Sequence, residues 1–437
     1  MFHGCTAHCI VYTGTDFVWG CVFVKYVVQG GKKLSGRVRV HGAKNSVLPI
    51  MAACILAGDE CTIYDCPDLS DVKHTVNILK TLGCSAELKD SILSVDSNSI
   101  CRYEIPEELM REMRSSIIFL GALAGKMGRA RVSAPGGCEL GNRPIDIHIK
   151  ALRELGMRIT EKNGFLEADA SNMHTGDVHL SFPSVGATEN IILSCTRLKG
   201  ETTISNAAKE PEIVDLCDFL NKMGANITGA GTEFIKITGV PSVKGAHHKV
   251  IPDRIVASTL MCAAMTTGSE LELLNVRREH LGAVVAVLRE AGARIEFFKD
   301  KMYIRAPEKI QPVDMIKTQV YPGFPTDSQS VMMAALCFGK GTSVIVENVF
   351  DSRYKIIPEL TKMGADILQD GRVAVIKGSA LHGAHMRAMD LRGGAALTVA
   401  ALGAEGESVI NDIFYIERGY ENLDIQLAEL GADIKKL

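Results

Sequence analysis

The sharpest chemical signal in the chain is a cysteine in a glycine-rich turn. In RARVSAPGGCELGNRPIDIHI a β-rich run ends in Pro135-Gly136-Gly137, and Cys138, Gly141, Arg143 and Pro144 then lead into an amphipathic helix. Glycines and prolines at this density make an exposed, pliant turn. A thiol just ahead of a helix start, with an arginine close by, is biased towards thiolate and so towards work as a nucleophile or proton donor. A passive loop cysteine is the plain alternative. The chain has 13 cysteines without framework spacing, and Cys54, Cys195, Cys262 and Cys337 sit inside apolar helical runs, where they read as buried free thiols in a reducing, cytoplasmic setting.

A second signal lies in where charge falls. Polar residues precede six apolar segments: Ala43-Lys44-Asn45, Met113-Arg114-Ser115, Thr188-Glu189-Asn190, Pro252-Asp253-Arg254, Pro325-Thr326-Asp327 and Asp390-Leu391-Arg392. Arg143, Arg353 and Arg418 fall in a parallel series of loops ahead of amphipathic helices. Helix capping accounts for Asn45, Ser115, Thr188 or Asp327 one at a time. It does not account for Lys and Arg recurring at the positive end of a helix dipole, where cations are disfavoured unless an anion is to be held. Lys44, Arg114, Arg143, Arg353, Arg392 and Arg418 together suit a ligand with several negative charges. Other motifs fail: there is no GxGxxG, HExxH or GxSxG, and His148 reads as a helix-surface histidine.

The elements that position these residues repeat six times. An amphipathic helix ending in Leu/Met/Ala-Gly recurs as NILKTLGCSAEL, ALRELGMRIT, FLNKMGANIT, VLREAGARIE, ELTKMGADIL and QLAELGADIK. Its terminal glycines, Gly83, Gly156, Gly224, Gly292, Gly364 and Gly431, are 67 to 73 residues apart and suit the left-handed position after a helix. Between them run VLPIMAACILAG, SSIIFLGALAGKMG, ENIILSCTRLKG, VASTLMCAAMTTG, VMMAALCFGKG and AALTVAALGAEG, apolar on nearly every side. Such helices must be buried, and a unit of about 70 residues cannot bury two helices alone, so the units must share cores, three to a domain. The expectation is an α/β protein of six βαβ-type repeats.

Composition agrees and excludes. The chain has 437 residues, 46% hydrophobic and 23% charged, which is globular and large enough for two or three domains. Lys+Arg 48 against Asp+Glu 51 leaves a net charge of −3, which argues against nucleic acid as a partner. No stretch reaches the roughly 18 uncharged apolar residues of a membrane helix. Residues 1–24 carry Asp16 and no Lys or Arg, unlike a signal peptide, and His3, Cys5, His8 and Cys9 match no standard zinc spacing.

The segments HGAKNSVLPI, EMRSSI, PGGCELGNRP, SVGATEN, NAAKEPEIVD, PDRI, FPTDSQ, VFDSRY, DLRGGAAL and IERGYE, in that order, resemble the UDP-N-acetylglucosamine 1-carboxyvinyltransferases, the enolpyruvyl transferases that begin peptidoglycan synthesis. The resemblance runs from about Lys25 to the C-terminus. It implies a two-domain inside-out α/β barrel with three repeats per domain. Residues 25–44 plus 253–437 would form the first domain and 45–252, carrying the Cys138 loop, the second, with 1–24 a leader outside the match. It implies that Lys44, Asn45, Arg143, Arg392 and Arg418 hold phosphoenolpyruvate. Cys138 would be the acid for the enolpyruvyl methylene, and Asp327 the base at the sugar 3-hydroxyl. Arg114, Arg143, Pro144, Ile145, Asp146, Ile147, Phe182, Pro183, Ser184, Val185, Asp327 and Val349 would contact UDP-N-acetylglucosamine. No cofactor, metal or obligate protein partner is implied, and a fosfomycin-class inhibitor would alkylate Cys138. Val256 stands where the family pattern leads one to expect Glu. Two rival readings remain: the sister 3-phosphoshikimate 1-carboxyvinyltransferase, and a non-catalytic scaffold binding a nucleotide sugar.

Overall fold

The computed structural model describes residues 24–111, 113–133 and 145–437. Its mixed α/β architecture consists of six small sheets, and each is assembled by one rule. The third repeat shows it most clearly. Strand Asp177–His179 enters the buried helix Val185–Cys195, which returns as Glu201–Ser205, parallel to the first strand. The amphipathic helix Pro211–Lys222 follows, then the hairpin Asn226–Thr228 and Phe234–Thr238, whose second strand lies antiparallel between its partner and Glu201–Ser205. In the second repeat the entering strand is reduced to one bridge, Glu104 beside Arg131.

Three strands come from distant parts of the chain. Lys25–Gln29 completes the last hairpin, between Glu407–Asn411 and Asp433–Lys436. Ser35–Arg39 pairs in parallel with Glu270–Leu274, although the helix that follows it in sequence is Lys44–Cys54. His247–Lys249 pairs in parallel with Glu60–Tyr64, although it leads into helix Arg254–Thr266. The chain thus exchanges partners at two crossings. These lie side by side: Gly42 bridges Pro252, the Ala43 N–H donates to the Ile251 carbonyl at 2.7 Å, and the Asp253 N–H donates to the His41 carbonyl at 2.9 Å. Gly42 is forced here, because a Cβ would stand 2.0 Å from the Asp65 carbonyl oxygen.

Buried apolar side chains gather in two clusters, one from residues 26–40 and 256–434, the other from 43–251. In the first, helices Arg254–Thr266, Gln329–Leu336 and Leu391–Gly403 pack on one another; in the second, Phe119–Met127 packs on Val185–Cys195 and Lys44–Cys54 on Pro211–Lys222. Small residues permit the close approach: a Cβ at Gly121 would be 2.4 Å from the Asn190 carbonyl oxygen. The six repeat glycines all adopt positive φ, from 83° to 102°, as the sequence pattern requires. The four helical cysteines are buried and unpaired, and burial raises their thiols, Cys195 to about 11 and Cys262 and Cys337 to about 12. No helix among the described residues is long and apolar enough to cross a membrane.

One expectation changes. His148 is buried, not on the helix surface, with its Nδ1 2.8 Å from the Asn190 amide nitrogen. Asn190 also accepts from the Gly121 N–H at 2.7 Å, so it ties three segments together. Val256, the departure from the family pattern, is a core residue: its side chain is buried in the first cluster and its N–H is held by Asp253.

Candidate functional site

Capping falls on different residues from those the sequence nominates. Helices Val185–Cys195, Arg254–Thr266 and Leu391–Gly403 are capped by Ser184, Asp253 and Asp390, while Asn45 and Asp327 make no side-chain cap at the helix starts beside them. Asp253 serves two helices. Its Oδ1 accepts from the Ile255 and Val256 N–H groups at 2.8 and 3.1 Å, and its Oδ2 from the Lys44 N–H at 3.2 Å, the first residue of the helix across the crossing. One carboxylate therefore satisfies orphan donors of two helix N-termini belonging to different cores.

Lys44 and Arg418 converge here. Lys44 Nζ lies 2.5 Å from Asp71 Oδ2, and Arg418 Nε lies 2.9 Å from Asp71 Oδ1. Asp71 is 4% exposed and occupies the first turn of helix Ser70–Leu82, where a negative charge is favoured. Burial pushes its carboxyl up, but Lys44 and Arg418 outweigh burial and hold it below the usual carboxylate range. Lys44 is pulled the other way: burial lowers it, Asp71 opposes, and the charges of Arg418 and Arg392 add to the lowering. Removing one partner of such a buried pair costs about 3–5 kcal/mol.

The third cation, Arg392, is buried at the start of its helix, 3.6 Å by its Nη2 from Asp327 Oδ2 and 5.5 Å from the centre of the Tyr420 ring. Burial lowers its pKa, but Tyr420, Asp327 and Asp253 more than restore it. Asp327 is held from the other side by Arg353, whose Nη2 donates to Oδ1 at 2.6 Å. Lys44, Arg392, Arg418 and Asp327, chosen from sequence, thus form one linked group with Asp71 and Asp253, and Asn45 is half-buried beside Lys44. Arg353, read from sequence as one more charge for an anion, is completely buried with its Nη2 on Asp327.

An acidic patch lies against this group. Arg254 pairs with Glu212 at 3.0 Å, an ion pair joining the two cores. Glu189 is buried nearby, and burial, reinforced by Glu212 and Glu210, raises its carboxyl well above the usual range. Among the residues expected at a nucleotide sugar, Asp146 and Ile147 line a groove of about 150 Å³ with His179, Leu180 and Ser181. Ile145 precedes helix Asp146–Glu154, which packs on helix Val185–Cys195; in the Phe182–Val185 stretch Phe182 is exposed, Pro183 and Val185 are half-buried, and Ser184 is the helix cap. Val349 is half-buried on the other core, with its N–H on Glu347 at 2.8 Å. Cys138, Arg143, Pro144 and the side chain of Arg114 lie outside the described residues, as does 1–23 of the leader. Among the described residues no group of three or more His, Cys, Asp or Glu side chains is placed to hold a metal ion.

Sequence reasoning missed Asp71, Glu212 and Glu347, and missed that Asp253 serves both crossings. An acid in the first turn of an amphipathic helix looks like ordinary dipole complementation. Only its contact with cations 27 and 347 residues away gives it another meaning.

The chain as a whole matches a known class. The family model described as EPSP synthase (3-phosphoshikimate 1-carboxyvinyltransferase) matches residues 28–427, and the chain belongs to this family of enolpyruvyl transferases. Within it, the chain is 47% identical over 414 residues to UDP-N-acetylglucosamine 1-carboxyvinyltransferase 2 of Caldanaerobacter subterraneus subsp. tengcongensis, covering 94% of this chain and 99% of that one. It is 48% identical over 414 residues to UDP-N-acetylglucosamine 1-carboxyvinyltransferase 1 of Carboxydothermus hydrogenoformans, covering 94% and 98%. Among solved structures, the enolpyruvyl transferase NikO from Streptomyces tendae superposes with a TM-score of 0.86 at 26% identity, over 95% of this chain and 99% of that one. EPSP synthase from Acinetobacter baumannii shares the fold, with a TM-score of 0.75 at 16% identity, over 95% and 100%.

Proposed function

We propose that this chain transfers the enolpyruvyl group of phosphoenolpyruvate to the 3-hydroxyl of UDP-N-acetylglucosamine, releasing phosphate, as the first committed step of peptidoglycan synthesis in the cytoplasm. The observation that carries this reading is 47% identity along 94% of the chain to an enzyme named for that reaction. The cation cluster supports the donor half: a phosphate and a carboxylate on three carbons need several fixed positive groups, and Lys44, Arg392 and Arg418, with Asn45 and Arg143, supply them.

The reaction is an addition followed by an elimination. Asp327 takes the proton of the 3-hydroxyl as its oxygen attacks C2 of phosphoenolpyruvate, while Cys138 delivers a proton to C3. The tetrahedral intermediate then loses a proton from C3 and expels phosphate from C2, restoring the double bond. Acid and base act on opposite partners, and the cations offset the charge of the departing phosphate. Asp71 keeps Lys44 and Arg418 in place until the donor arrives. UDP-N-acetylglucosamine is read by Arg114, by 143–147, by Phe182–Val185, and by Asp327 with Val349. The two apolar cores correspond to two inside-out barrel domains, 25–44 plus 253–437 and 45–252, which close over the nucleotide sugar about the paired crossings.

Phosphate release from phosphoenolpyruvate, measured with UDP-N-acetylglucosamine and separately with shikimate 3-phosphate, tests the reading. Release with the nucleotide sugar alone is expected. Release with shikimate 3-phosphate alone would assign the chain to the sister reaction, and none with either would leave a binding scaffold.

A further inference from the structure

Arg353 begins a short 3-10 turn, Arg353–Ile356, and its side chain is 0% exposed. A guanidinium so enclosed must be held by acceptors at a fixed angle. Its Nη2 donates to Asp327 Oδ1 at 2.6 Å and its Nε to Thr326 Oγ1 at 3.2 Å. The Thr326 hydroxyl in turn donates to Glu347 Oε2 at 3.0 Å. Glu347 is buried, and its other oxygen accepts from the Thr318 hydroxyl at 2.8 Å and from the N–H groups of Val349 and Phe350 at 2.8 and 3.0 Å.

The arrangement has a direction. Glu347 fixes the backbone at Val349 and Phe350 with one oxygen and, with the other, fixes the hydroxyl that orients Arg353. Arg353 then fixes one oxygen of Asp327, and Arg392 approaches the second at 3.6 Å. We propose that Arg353 is a positioning residue for Asp327, held from behind by Glu347 through Thr326, so that the base and the sugar-contacting Val349 backbone are registered to one buried carboxylate. The proposal rests on the reading of Asp327 as the base of the enolpyruvyl transfer. Arg353 gives Nη2 to the protein carboxylate and Nε to the threonine, while its Nη1 is buried without a hydrogen-bond partner.

A residue that acts through Asp327 should lose its importance when Asp327 can no longer act. The test compares Arg353→Lys, Asp327→Asn and the double variant, with phosphate release read against both substrates. Arg353→Lys keeps the charge and loses the fork. The expected result is a kcat about tenfold or more below the unchanged protein, with KM for both substrates within about threefold. In the Asp327→Asn background the same change should lower the residual kcat by less than about twofold. Multiplying losses, or a KM for phosphoenolpyruvate that rises more than kcat falls, would overturn the proposal; the latter would make Arg353 a donor-binding residue after all. If Arg353→Lys does not fold, Thr326→Val, which deletes only the hydroxyl link, is expected to lower kcat about threefold, and an unchanged kcat would overturn the proposal equally. The unchanged protein is the control on the underlying reading: if it releases no phosphate with UDP-N-acetylglucosamine, it is the assigned reaction that fails.

Discussion

At the scale of single residues, the site is a set of cations held against buried carboxylates. Lys44 is the sensitive one, since burial lowers it and Asp71 restrains the fall. Removing the carboxylate removes the restraint, so in Asp71→Asn Lys44 loses its proton at a lower pH. The alkaline limb of kcat/KM for phosphoenolpyruvate should then move to lower pH. A pH–rate series on both proteins checks this, and a limb that stays in place would mean that another group holds the donor. Cys138 carries the second residue-scale prediction. Cys138→Ser should lower kcat about a hundredfold, because a hydroxyl is a poor acid, while Cys138→Asp should keep a measurable part of the activity because it can still give up a proton. Equal activity of Cys138→Ser and the unchanged protein would remove the thiol from the chemistry.

At the scale of elements, each repeat turns on a glycine after its amphipathic helix, but the six turns are not equivalent. Gly156 and Gly224 have φ of 83° and 102°, so an alanine at either adopts a left-handed backbone costing about 1–2 kcal/mol. A Cβ at Gly224 meets nothing within 4 Å, whereas one at Gly156 would stand 2.4 Å from the Asn172 carbonyl oxygen. Gly156→Ala should therefore destabilise by at least about 1 kcal/mol more than Gly224→Ala, as read from urea unfolding midpoints. Matching midpoints would show that the Asn172 loop yields freely. The buried helices follow the same logic of close approach, since glycine, alanine and cysteine at their contacts let helices share a core that a single unit cannot enclose.

At the scale of the whole molecule, Asp253 joins the two cores. It caps helix Arg254–Thr266 and the first N–H of helix Lys44–Cys54 at once. Asp253→Ala should cost about 1–2 kcal/mol for the helix cap alone, and should speed hydrogen exchange at Lys44, Ile255 and Val256 together. Faster exchange at Ile255 and Val256 but not at Lys44 would show that the two crossings are held independently. The ion pair of Arg254 with Glu212 and that of Arg418 with Asp71 also join residues of the two clusters, so the geometry of the cation group depends on how the cores sit against each other.

Much of this was legible in the order of residues. The six glycines, the all-round apolar helices and the polar residues ahead of them are local patterns, set by the helical period and by the steric freedom of glycine, and the fold repeats them faithfully. Lys44, Arg392 and Asp327 stand out because each lies ahead of the apolar helix of its own unit, and Arg418 because it falls in the parallel series of loops. Tertiary structure alone decided which charges meet. It turned Arg353 from a free cation into the support of Asp327, placed Asp71 between Lys44 and Arg418, made His148 an interior residue, and drew strands Ser35–Arg39 and His247–Lys249 into sheets remote from their neighbours in sequence. The reason is physical. Propensity and periodicity act over a few residues, whereas the partner of a buried charge is chosen by desolvation, and that acts only once distant parts of the chain have closed around it.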